Sequence, residues 1–151
     1  PMLRTGVLRE RLDRPAPRLG AGLALRGLAT ACIDVSDGFL ADLGHILAMS
    51  GVGADVEADA LPASPALRDA FPDLAACRAL QLTGGDDYEL CFTAPAKKRE
   101  AVQAALDAVA TPATRVGRIT EGASLRLFDA DGLPLPLPPR RGYVHFAGAG
   151  A

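Results

Sequence analysis

The 151-residue sequence lacks the signatures by which many enzymes announce themselves. It holds no P-loop, no Rossmann glycine fingerprint and no Ser-His-Asp set, which removes the commonest nucleotide cradles and the hydrolase triad. Cys32, Cys77 and Cys91 are too few and too scattered for a zinc ribbon or a disulfide framework, and no Cys-x-x-Cys spacing occurs. Two of them lie in apolar segments, so reduced, buried thiols are expected. No apolar run approaches the ~18 residues of a membrane span, and the first residues carry no signal-peptide hydrophobic core. These absences predict a cytoplasmic protein with no membrane partner. No internal repeat is present.

What is there is an ordinary apolar fraction, 49%, with 23% charged residues, enough to bury a core in one domain. The net charge of −2 conceals a pattern: residues 1–33 and 94–151 are net basic, while residues 34–93 hold eleven acids against Arg68 and Arg78. An acid-rich middle argues against nucleic acid as a partner. It suits either divalent cations or a well-solvated surface, and charge alone favours the surface.

Leu3–Leu12 reads as a short basic helix broken by Pro15-Ala16-Pro17, and Leu19–Leu28 as a small Gly-rich helix. Ala29–Val35 has the look of a buried strand. Leu40, Leu43, Ile46 and Leu47 then recur at helical spacing until Gly51 supplies a left-handed stop. Ala54, Val56 and Ala58 alternate with acids, which predicts a strand with one wet face. Ser64-Pro65 opens a helix, Tyr88–Thr93 is a strand, and Pro95 opens a helix striped by Val102, Ala105, Leu106 and Val109. Arg115–Thr120 and Ser124–Phe128 read as strands joined to a turn at 129–132, and Leu133–Pro139 as an extended edge. The order is that of a layered α/β (α+β) domain.

Two loops carry candidate chemistry. In Ala31–Leu47 (ACIDVSDGFLADLGHIL), Asp34, Ser36 and Asp37 stand where a strand gives way to a helix. Free N–H groups there suit a phosphate, and carboxylates beside a phosphate suit bridging Mg²⁺. Helix capping is the plain alternative. The second loop is Thr83-Gly84-Gly85-Asp86-Asp87-Tyr88-Glu89, where paired glycines permit a close approach and Asp86 or Asp87 could meet a cationic substrate; a polar hairpin loop is the alternative. Near the end, Arg140-Arg141-Gly142-Tyr143-Val144-His145-Phe146 would either fold over a flat ring or simply pack.

Together these stretches, with Ser50-Gly51-Val52-Gly53-Ala54, Leu61-Pro62, the run Gly84–Leu90 and Pro15-Ala16-Pro17-Arg18, resemble the thiamine-monophosphate kinase family. The resemblance runs from about Pro15 to Phe146 and covers only that family's C-terminal domain. It implies a three-layer α/β/α fold with a mixed sheet, shared with aminoimidazole ribonucleotide synthetase, and transfer of the ATP γ-phosphoryl to thiamine monophosphate with Mg²⁺. It further implies Asp34 and Asp37 as Mg²⁺ ligands, Ser36 as an ATP contact, and Asp86 and Tyr143 at the substrate. Asp86 stands where the family has Glu, one methylene shorter, a gap that a water would bridge. By the same resemblance residues 1–30 are a joining segment, 31–146 the kinase domain and 147–151 a tail. The missing N-terminal domain, which supplies the rest of the ATP site and a homodimer contact, would leave the chain inactive alone. A stand-alone binding module of the same fold, or another ATP-dependent member of the superfamily, are the competing expectations.

Overall fold

The structure is a computed structural model and describes residues 6–142. In chain order it contains α1 (Val7–Asp13), α2 (Leu19–Ala24), β1 (Ala31–Asp34), α3 (Phe39–Ser50), β2 (Gly53–Glu57), α4 (Pro65–Ala70), α5 (Leu74–Thr83), β3 (Leu90–Thr93), α6 (Arg99–Asp107), β4 (Gly117–Thr120), β5 (Leu125–Phe128) and β6 (Pro134–Leu135). Single 3₁₀ turns follow β2 and precede α6.

The strands form two sheets. β1 and β3 make an antiparallel ribbon, with Ile33 opposite Cys91 and Asp34 opposite Leu90. The other four run in the order β4-β2-β5-β6, with β2 parallel to β5 and the remaining pairs antiparallel. That makes a mixed sheet, as expected of an α/β fold.

α3 holds the molecule together. Phe39, Leu40, Leu43, Ile46 and Leu47 recur at i, i+3 and i+4 and are all buried. Most of this stripe packs with Ala54 and Val56 of β2, Leu125 and Leu127 of β5 and Leu82 of α5. Each such Leu contributes up to roughly 2 kcal/mol by leaving water. Gly51 ends the helix in the left-handed region at φ 64°, its N–H returning to the Leu47 carbonyl. A second, smaller core gathers Ala21 and Leu25 near α2 with Val102 and Leu106 of α6, and Leu90 and Phe92 of β3 join it. Cys91, between them, packs against the first core. The ribbon therefore divides the two cores, as alternation along a strand requires.

Three expectations are corrected. The acid face of β2 is wet only at its end, where Glu57 is exposed: Asp55 is buried, because Arg118 and Arg126 from the flanking strands fold their guanidiniums onto it. The helix opened by Ser64 is really two, broken at Phe71-Pro72 and restarted by Asp73, whose carboxylate accepts the Ala76 N–H at 2.8 Å. Of the cysteines, all free, Cys77 is buried, Cys91 half-buried and Cys32 exposed. Burial pushes the Cys91 thiol up to about 12, which makes it a poor nucleophile.

Candidate functional site

The two acid-bearing loops meet. The Asp86 N–H donates to the Ser36 carbonyl at 2.9 Å and the Tyr88 N–H to the Val35 carbonyl at 2.9 Å. In return the Val35 N–H donates to the Glu89 carbonyl at 2.8 Å. Backbone contact this close explains Gly85, while Gly84 is confined by the Leu80 carbonyl of the preceding helix. A Cβ on Gly85 would strike the Ser36 carbonyl oxygen, so no larger residue fits there. Gly38, at φ 125°, adopts a conformation reserved for glycine and lies against the Thr83 carbonyl.

Asp42 shapes the first loop, and its role was not foreseen. It is 2% exposed, and one of its oxygens accepts the N–H groups of Ser36, Asp37 and Gly38 at 2.9, 3.1 and 3.2 Å. The residue at the N-cap is Gly38, which has no side chain to cap with. The acceptor for the N-cap N–H is thus Asp42, reaching back from the first turn. These bonds occupy the three N–H groups that precede the helix; the expected anion position, at the N–H groups of its first turn (Phe39, Leu40 and Ala41), is a different set. An acid four residues inside a helix, just after a Gly, was the available signal.

Of the sequence-derived candidates, Asp34 is exposed at the C-terminal end of β1, Ser36 and Asp37 are half-buried in the turn, and Asp86 is exposed. Tyr143 lies outside the described residues. Its neighbour Gly142 sits against the first loop: a Cβ there would stand 2.5 Å from the Asp37 carbonyl oxygen and 2.6 Å from the Ala41 Cβ. The structure therefore brings the first loop, the second loop and the start of the C-terminal segment together.

The second loop is strained. Asp86 and Tyr88, neither a glycine, have φ of 65° and 52°, which is why β3 begins at Leu90 and not at Tyr88. The Asp87 carboxyl is held above its ordinary value, first by partial desolvation and then by the charges of Glu89 and Asp86. Glu89 is held below its ordinary value, chiefly by a hydrogen bond from Arg18 and also by Arg11. Among the described residues no three His, Cys, Asp or Glu side chains converge as a complete metal site. None of the described helices is long and apolar enough to cross a membrane.

The site thus belongs to an α/β domain, a mixed sheet backed by helices with acid-bearing loops gathered at the end of β1. The chain belongs to the family described as AIR synthase related protein, C-terminal domain, which matches residues 10–130. Within it, the thiamine-monophosphate kinase of Salmonella typhimurium LT2 is 44% identical over 138 residues, 91% of this chain and 42% of that protein. The chain thus spans about two fifths of the curated relative it matches. A crystal structure of the thiamine-monophosphate kinase from Stenotrophomonas maltophilia K279a is 51% identical, with a TM-score of 0.76 over 83% of this chain and 38% of its own. AaThiL complexed with AMPPCP and TMP is 28% identical, with a TM-score of 0.71 over 92% of this chain and 41% of its own.

Proposed function

We propose that the chain is the C-terminal domain of a cytoplasmic thiamine-monophosphate kinase, an ATP-dependent phosphotransferase that forms thiamine diphosphate. The observation that carries this is the lacing of the two loops, which joins Ser36 and Asp86 through one hydrogen bond. In this reading residues 31–146 form the domain, 1–30 join it to a preceding half and 147–151 are a tail. That half completes the ATP site and makes the homodimer, so the chain does not turn over alone.

Asp34 and Asp37 would hold Mg²⁺. Hard carboxylate oxygens fit that ion, which needs only one or two from the protein when phosphates and water complete its octahedron. When bound, Mg²⁺ would neutralise charge on two polyanions as they approach. Everything else asked of this chain is positioning. Asp42 fixes the turn that bears Asp34, Ser36 and Asp37; Ser36 contacts ATP; Asp86 faces the cationic ring of the thiamine moiety; and Tyr143 closes over it. The acceptor phosphate is already ionised, so no general base is needed.

The test is a kinase assay on the full-length polypeptide with thiamine monophosphate, ATP and Mg²⁺, beside Asp34→Asn and Asp37→Asn. Activity should fall by roughly a hundredfold or more in each variant while folding is kept. Variants as active as the parent would remove the metal role from these residues. A folded, silent parent would mean a different substrate within the family.

A further inference from the structure

Glu89 lies where three segments of the chain meet. Its backbone carbonyl receives the Val35 N–H, which ties it to the first loop. Its side chain turns to the segment before α2: Arg18 donates through Nε to Oε2 at 2.8 Å and through Nη2 to Oε1 at 2.7 Å, and Arg11 adds a third donor to Oε1 at 2.5 Å. The Arg18 pair is bidentate, the geometry that fixes orientation as well as proximity. α1 buries none of its own residues; the Arg11–Glu89 ion pair ties it to the second loop, and the Arg18–Glu89 pair ties the start of α2 to the same carboxylate. Immediately before Glu89, Tyr88 and Asp86 hold left-handed backbone conformations that persist only when their surroundings fix both ends. The Gly85 contact with Ser36 fixes one end and Glu89 the other.

We infer that the Arg18–Glu89 pair, reinforced by Arg11, is a positioning clasp that locks the strained Gly84–Glu89 loop to the N-terminal segment and so sets the geometry of the acceptor-binding acid Asp86. Arg18 and Glu89 touch no reacting atom in this assignment; they act through the loop. The pair is half-buried and still partly solvated, and such ion pairs contribute modestly to global stability, which fits a positioning role. The identity of the acceptor rests on the proposed function, but the clasp itself does not.

The experiment uses the full-length polypeptide with Arg18→Ala, Arg18→Lys, Glu89→Gln and the exchange Arg18→Glu with Glu89→Arg. Backbone hydrogen exchange at Asp86 and Tyr88, whose N–H groups are bonded to the first loop, should quicken several-fold in Arg18→Ala and Glu89→Gln. KM for thiamine monophosphate should rise roughly tenfold in both while KM for ATP and kcat stay within about twofold. Lysine, which keeps the charge but not the fork, should recover only part of the effect, and the exchanged pair more of it. Unchanged hydrogen exchange at these two amides, or equal losses toward both substrates, overturns the clasp. If the parent does not phosphorylate thiamine monophosphate, the proposed function fails, and hydrogen exchange alone then decides the clasp.

Discussion

On the sheet, Asp55 is shut in by Arg118 and Arg126; in the 3₁₀ turn that follows β2, Asp59 is held by Arg78 of α5 and by the Ala130 N–H at 3.0 Å. At the loops, Asp34, Asp86 and Asp87 stand exposed, and the nearby Arg11 and Arg18 are committed to Glu89. The acidic middle of the chain is therefore two populations. One is neutralised by arginines on and beside the sheet and does structural work. The other gathers charge of one sign around a strained loop, an arrangement that costs stability and that the proposed function would use to meet a cation.

Asp42 lies between the two populations, buried like the first and placed among the second. Asp42→Ala would strand three backbone N–H groups at the head of α3, at about 2–4 kcal/mol, and free the turn that carries Asp34 and Asp37. Urea denaturation should report the stability loss, and the kinase assay a loss beyond it at temperatures where the variant is folded. An active Asp42→Ala would mean that the turn keeps its shape without its buried acceptor.

Asp55→Ala should behave differently. Although Asp55 is buried, Arg118 and Arg126 are more than half exposed and rehydrate when it is removed, so the cost is smaller, about 1–2 kcal/mol. Activity per folded molecule should match the parent. A selective loss of activity in Asp55→Ala would break the division between structural and functional acids.

How much of this was legible follows from what leaves a local trace. The period of Leu40, Leu43 and Leu47, the Gly51 stop and the Ser64 cap are local signals, and each stands where expected. The second break at Phe71-Pro72 was missed because α4 and α5 are both short and weakly patterned. Asp55 was misread because an alternating acid looks wet until arginines 63 and 71 residues away fold onto it. Asp34, Ser36, Asp37 and Asp86 were picked out by residue type and resemblance, but their meeting depends on backbone bonds between positions about 50 apart, which no local pattern encodes. Asp42 and Glu89 were quoted in those motifs without a role, since a buried acceptor and a clasp show only in three dimensions.

Acid should separate the two populations by sign, with the smallest of the expected effects. The hydrogen bonds from Arg126 and Arg78 hold the Asp55 and Asp59 carboxyls below their ordinary values. Their contribution is complete above the unfolded-state value, near 4, and is lost as pH falls through the depressed folded value. Asp87 runs the other way: its raised folded value means that its ionised form opposes folding at neutral pH, and that opposition lifts as pH falls through that value. Asp59→Asn should therefore be less stable than the parent at pH 7, with the gap narrowing below pH ~4. Asp87→Asn should equal or slightly exceed the parent at pH 7, and its advantage should vanish in acid. Urea midpoints for the three proteins across this range would decide it. Should Asp87→Asn lose stability at pH 7, its carboxylate would belong with the structural acids, and the loop would hold one fewer charge for a cation.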